Sequence, residues 1–249
     1  MDFARHNWDT FCRYHVGDWH GIWTPYTLDG VALASFQCIR SFHVTADGSA
    51  ITHQNHYRYA DGRQETKTFG PYTPATTRSV FVETSFSWGA PAVTGESPFF
   101  FETGFRAAER RVSLVARYDA HGVWQPILVI TEHRGRLAEH QPAVESPALP
   151  QGCQGLRRTM TPDRRVFAPE PVAWSRLEAL GEDTLTVRVP EGLAVRLPPH
   201  LAPGQPFVGI VEWVVRPTVV QRGLRYYQAW GFAHFSFDRF PAASSGSAA

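Results

Sequence analysis

From Asp18 onward, apolar and polar side chains alternate with a period of two, and Asp-Gly pairs interrupt the alternation. Trp19, Gly21 and Trp23 share one face of the first stretch. Asp29-Gly30 turns the chain into a run over 31–45, Asp47-Gly48 turns it back over 50–60, and Asp61-Gly62 turns it again. Glycine after aspartate suits the left-handed positions of tight turns, and alternation marks strands with one buried face. The pattern predicts an antiparallel meander. Further strands are expected at 78–88, 98–106, 110–119 and 123–133. That makes roughly eight, enough to close a small barrel without exposed edges.

Residues 2–14 follow a different rule. Phe3, Trp8, Phe11 and Cys12 recur at roughly helical spacing and predict a short helix lidding one barrel end. Over 136–175 proline, glutamine and arginine rise and alternation fades, so part of this stretch reads as a linker. Strands resume at 183–189, 193–197, 206–216, 218–228 and 231–239. The expected architecture is all-β: an antiparallel barrel over 1–138, a second barrel-like half over 139–240, and a disordered tail over 241–249. That tail, Pro-Ala-Ala-Ser-Ser-Gly-Ser-Ala-Ala, cannot bury enough surface to order itself. Val115 to Val123 is echoed by Leu224 to Phe232, Pro98-Phe99 by Pro206-Phe207, and Trp19-His20-Gly21 faintly by Cys153-Gln154-Gly155. Chance similarity of two hairpins and a duplicated unit with a shorter later copy both account for this.

Strand parity sorts side chains by face. Phe36, Cys38, Arg40 and Phe42 form one inward set, and Ile51, His53, Asn55, Tyr57 and Tyr59 a second. Val80, Val82, Thr84, Phe86 and Trp88 form a third, and Val112, Leu114, Ala116 and Tyr118 a fourth. The polar members, Arg40, His53, Asn55 and Tyr57, stand out, because buried polar groups need partners. An inward Arg40 needs an internal carboxylate, water, an anionic group on an apolar ligand, or a tryptophan face to cover. The candidate ligand-binding residues are Trp19, Trp23, Arg40, His53, Asn55, Tyr57 and Tyr118.

Composition narrows the function. The 24 basic and 23 acidic residues leave a net charge of +1, which argues against nucleic acid or an anionic membrane as partner. Eight Trp, 8 Tyr and 17 Phe suit strands, cores and ligand pockets. Three widely spaced cysteines without a Cys-x-x-Cys, and no leading apolar segment or long apolar run, predict free thiols in a soluble cytoplasmic protein. No phosphate-cradling glycine motif or Gly-x-Ser-x-Gly occurs. His53 and His56 fall on opposite strand faces, and no metal site or cofactor is expected. Glu83 and Glu102 read as outer-face residues. His53 with Tyr57 is the one pair with acid–base potential, and no catalytic residue is assigned. Arg110-Arg111, Arg157-Arg158 and Arg164-Arg165 read as solvated surface, or as a patch for an acidic protein partner.

Asn7-Trp8, Gly17-Asp18-Trp19-His20-Gly21-Ile22-Trp23-Thr24, Phe36-Gln37, Arg40-Ser41-Phe42, Ile51-Thr52-His53-Gln54-Asn55 with Tyr57, Asp61-Gly62 and Lys67-Thr68 carry a resemblance. Together they resemble a calycin-like family of unknown function common in cyanobacteria and algae, in which Gly-x-Trp opens a lipocalin-like barrel. Pro190-Glu191-Gly192, Gly204-Gln205-Pro206-Phe207, Trp213 and Arg222 to Tyr226 resemble the family's companion domain. The two-domain layout is similar to that of a chloroplast factor assisting ATP synthase assembly. The resemblance implies two lipocalin-like barrels and a cyanobacterial source, and it carries no catalytic residues. Cys153, where the Trp pattern would place an indole, departs from it. The expected function is non-catalytic binding of a hydrophobic small molecule: a tetrapyrrole, a carotenoid or a fatty-acid-like compound. The alternatives are an assembly factor or scaffold for protein partners, and a transferase or isomerase resembling the bilin lyases in barrel fold alone.

Overall fold

A computed structural model describes residues 2–137 and 146–241. The helix, α1, spans Phe3–His15. Asp2 caps its start, accepting a hydrogen bond from the Arg5 amide at 3.0 Å. Asn7, Trp8, Thr10, Phe11 and His15 are its buried residues, at the spacing of one helix face.

Nine strands follow: β1 Gly17–Tyr26, β2 Phe36–Val44, β3 Ile51–Arg58, β4 Gln64–Tyr72, β5 Val80–Val82, β6 Ser85–Gly89, β7 Phe99–Ala107, β8 Arg110–Tyr118 and β9 Ile127–Arg134. They form one sheet in the order β4-β3-β2-β1-β9-β8-β7-β6-β5. The sheet does not close into the expected barrel. The ladder ends on β4 and β5, which do not pair with each other, so the antiparallel wall is a curled half-barrel.

The three Asp-Gly turns form as expected. Gly30, Gly48 and Gly62 all have positive φ, and their amides close turns on Thr27, Thr45 and Tyr59. The strand expected over 31–45 starts only at Phe36. Val31 and Leu33 are exposed, and Tyr26↔Ala32 is an isolated bridge. The stretch expected as one strand over 78–88 is a hairpin. Glu83 takes a positive φ, the chain reverses, and Phe81 pairs with Phe86.

The stretch expected to contain a linker carries two strands, β10 Gln154–Met160 and β11 Glu170–Ala173. A short 3-10 turn at Leu177–Ala179 follows, then β12 Leu185–Arg188, β13 Leu193–Leu197, β14 Phe207–Arg216, β15 Val219–Gln228 and β16 Gly231–Phe240. The second sheet is also antiparallel, in the order β11-β10-β16-β15-β14-β13-β12. The succession β1-β9-β8-β7-β6-β5 of the first sheet is thus matched by β10-β16-β15-β14-β13-β12 in the second, with the two echoed segments on equivalent hairpins. The expected tail beyond Pro241, and the domain boundary placed at 138, lie outside the described residues.

Two compact units result. One takes Met1–Gly89, Phe100–Arg117 and Gln125–Gln141, and the other takes Ala90–Phe99, Tyr118–Trp124 and Pro142–Ala249. In the second unit the Phe207 and Tyr227 rings stack at 4.6 Å, and the Tyr227 hydroxyl donates to the Ala90 carbonyl at 2.9 Å. Arg157 is not the solvated arginine expected. It holds the buried Asp238 in a bidentate pair at 2.7 and 2.8 Å. Arg222 holds the buried Glu212 across β14 and β15.

Candidate functional site

Helix α1 stops one end of the half-barrel. Asn7 clamps it, donating to the Ser79 carbonyl at 3.0 Å and accepting from the Phe81 amide at 2.8 Å. Phe11 stacks flat on Phe81 at 4.4 Å. Trp19 joins this plug, packed with Trp8, Phe11, Phe42, Ile51, Phe81 and Phe86. Its indole donates to the His15 carbonyl at 2.8 Å, satisfying a carbonyl at the helix C-terminus. The opening indole therefore has a structural position, fully buried and absent from the cavity wall.

Above the plug the first unit encloses a cavity of about 690 Å³. Trp23, Arg40, His53, Asn55 and Tyr57 all line it, so five of the seven residues singled out above meet in one place. Tyr118 does not. It is buried in the second unit and donates to the Pro198 carbonyl at 2.8 Å. The reason is a parity error on β8. Val112, Leu114, Ala116 and Tyr118 are buried, but Arg111, Val115 and Arg117 face the cavity. On β6 Phe86 and Trp88 face the cavity as expected, whereas Phe81, assigned outward, joins them because the turn at Glu83 reverses the strand.

The cavity floor is a buried ion cluster. Arg40 Nη1 donates to Glu102 Oε1 at 3.2 Å, and its Nε lies 3.3 Å from Glu132 Oε1. Arg111 Nε donates to Glu132 Oε2 at 2.7 Å. Glu102 also accepts from the Ser113 hydroxyl at 2.6 Å and the Trp88 indole at 2.7 Å. Burial alone would raise its pKa. The charge of Arg40 and these hydrogen bonds outweigh burial and lower it. The Arg40 guanidinium lies over Trp23 at 4.8 Å and that of Arg111 over Trp19 at 4.3 Å. The internal carboxylate and the tryptophan face considered for Arg40 are therefore both present. Glu102, assigned to the outer face, is 4% exposed, and Arg111, assigned to solvent, is 1% exposed.

Glu132 escaped notice, although a lone glutamate two residues after Ile130 on an apolar strand is a readable signal. It reaches Arg111 past Gly21, its partner in the ladder. A Cβ on Gly21 would lie 2.5 Å from Glu132 Cγ and 2.7 Å from the Thr131 carbonyl. Gly21→Ala is expected to lower stability by about 1–3 kcal/mol, read from the urea midpoint.

A chain of hydrogen bonds runs along the cavity face of β3. The Tyr72 hydroxyl meets His53 Nδ1 at 3.0 Å, His53 Nε2 meets Asn55 Oδ1 at 2.8 Å, and Asn55 Nδ2 donates to the Tyr57 hydroxyl at 2.8 Å. Asn55 Oδ1 can only accept, so His53 carries its proton on Nε2 and accepts from Tyr72 on Nδ1. The His53 ring stacks between Phe42 at 4.2 Å and Phe69 at 4.7 Å. Burial, then the charge of Arg40, lower its pKa to about 3, so the ring is neutral. His53 and Tyr57, the one pair with acid–base potential, are bridged by Asn55, and both imidazole nitrogens are engaged. Burial pushes the Cys38 thiol up to about 12, which removes it as a nucleophile. Among the described residues no cluster of potential metal ligands forms, and no helix is long and apolar enough to cross a membrane.

The fold and site define a helix-plugged, antiparallel half-barrel around an aromatic cavity, accompanied by a second antiparallel sheet. The chain belongs to the DUF3598 family: residues 4–137 match the N-terminal domain of unknown function of that name. It is similar to a protein of unknown function of the same family from Nostoc punctiforme PCC 73102. The two share a TM-score of 0.73 and 17% sequence identity, over 94% of this chain and 97% of that one. The likeness is one of fold. No curated protein matches the chain.

Proposed function

We propose that the first unit binds a hydrophobic small molecule without chemical conversion, as a lipocalin-like cup does. The observation that supports this reading is the cavity of about 690 Å³, a size ordinary for small-ligand sites and walled chiefly by aromatic rings with a few fixed polar groups. Phe69 and Trp88 line it while 38% and 41% exposed, which leaves large apolar surface for a ligand to cover. The polar groups of the ion cluster and of the β3 chain are bonded to one another, which suits orientation of a ligand more than proton transfer. The three free cysteines fit a reducing compartment such as the cytoplasm.

The test is titration with the neutral fluorophore N-phenyl-1-naphthylamine, read by its emission and by quenching of Trp23 and Trp88. Saturable binding is expected. Val115→Trp, which projects an indole from the wall into the void, is expected to weaken it at least tenfold, the loss of roughly 1.4 kcal/mol of contact. Absence of saturable binding to the wild-type protein would remove the proposal.

A further inference from the structure

The two ends of the cavity differ in chemistry. Ile51 and Arg111 lie at the end stopped by α1, where Ile51 packs in the plug and Arg111 Nη1 reaches the His15 carbonyl at 3.5 Å. Tyr57 and Arg117 each stand six residues further along the same strands, β3 and β8, and so roughly 20 Å away. They share that far end. Tyr57 packs on the cluster containing Trp23 and Val115, and Arg117 follows Val115 by two on the cavity face. Between the two ends the rings of Phe42, His53, Phe69 and Trp88 line the wall beside Arg40, Asn55 and Glu102.

The hydrogen-bond chain on β3 has a direction. Each member donates to the next from Tyr72 through His53 and Asn55, and the Tyr57 hydroxyl accepts the last bond. Its own proton is left to offer. Arg117 is exposed on the cavity wall, and no ion pair or hydrogen bond engages its side chain among the described residues. The far end therefore presents a hydroxyl donor and an unneutralised guanidinium. Arg40 and Arg111 present nothing comparable, because Glu102 and Glu132 match them two to two. An anion placed there would face both carboxylates. Arg78, the fourth arginine on the cavity wall, is also exposed, but it adjoins Ser79 at the end stopped by α1 and stands apart from the Tyr57 hydroxyl.

Resting on the binding function proposed above, we infer that the ligand is an elongated amphipathic carboxylate. Its apolar body lies along Phe42, His53, Phe69 and Trp88, and its acid group sits at Tyr57 and Arg117, away from the buried ion cluster. A carboxylate accepts from both donors in charge-assisted bonds.

Laurate, dodecanol and dodecylamine share one tail and differ in the head, so their displacement of N-phenyl-1-naphthylamine separates the two proposals. Laurate is expected to displace the dye at roughly tenfold lower concentration than dodecanol, with dodecylamine weakest. In Arg117→Gln and in Tyr57→Phe the laurate-to-dodecanol ratio is expected to fall several-fold, each variant serving as its own reference. Equal displacement by the three heads, a preference for the amine, or a ratio unmoved by both substitutions overturns the inference while leaving the binding function intact. Failure of the dye to bind the wild-type protein removes both.

Discussion

Glu132→Leu is expected to destabilise the first unit by about 3–5 kcal/mol, the usual cost of leaving a buried charge without its partner. The Glu132 side chain is fully buried and faces two guanidinium groups, Arg111 at 2.7 Å and Arg40 at 3.3 Å. With Glu102 these four groups carry no net charge. Loss of Glu132 leaves a surplus buried cation at the cavity floor, whereas Arg111→Leu leaves a surplus anion. Removing both restores the balance and leaves Arg40 paired with Glu102 at 3.2 Å. The double variant is therefore expected to be more stable than Glu132→Leu alone, despite losing the contact of Arg111 with the Trp19 ring. Urea unfolding followed by tryptophan fluorescence on all four proteins gives the coupling directly. Additive losses, or a cost below about 1 kcal/mol for the single change, would contradict a tightly paired, buried cluster at the cavity floor.

Where one face of a strand meets solvent, its residues are legible in the sequence. On β2 and β3 Gln37, His43, Thr52, Gln54, His56 and Arg58 are exposed, while Cys38, Arg40, Phe42, Ile51 and Asn55 are buried. Parity there leads directly to Arg40, His53, Asn55 and Tyr57. β8 has no such contrast. Arg111, Val112, Ser113, Leu114, Val115 and Ala116 are all buried, so hydrophobicity cannot say which side faces the cavity. That ambiguity hides Arg111 and misplaces Tyr118. Glu102 is hidden differently. Its partners Arg40, Ser113 and Trp88 are distant in sequence, and a carboxylate in isolation reads as solvated. The reversal at Glu83 is illegible because no glycine, asparagine or aspartate marks the positive φ. Trp19 shows the limit of a motif: its place at the plugged end is legible, but its partner is a helix carbonyl.

Stability is expected to fall as the solution is acidified from pH 6.5 toward pH 3. His53 has an ordinary value of 6.5 and is lowered to about 3 in the folded chain. His15 is held well below its ordinary value by burial and by the charges of Arg111, Arg106 and Arg40. Across the interval the unfolded chain binds protons that the folded chain refuses, so each neutral histidine's contribution is complete above its unfolded pKa. It is lost as pH falls toward the folded value, at a slope of up to about 1.4 kcal/mol per pH unit. Glu102, whose pKa is lowered, adds to the loss at the acid end, below the ordinary carboxylate value of 4.5. His53→Phe separates the terms. The ring stack on Phe42 and Phe69 survives, but Tyr72 and Asn55 lose a partner, so the variant starts about 1–2 kcal/mol less stable at neutral pH. It is expected to lose less on acidification, and its urea midpoint should converge on that of the wild type near pH 5. Parallel acid limbs would mean that His53 protonates in the folded protein without penalty. A ring free to do so could not be locked between Tyr72 and Asn55, and the direction of the hydrogen bonds reaching Tyr57 would lose its basis.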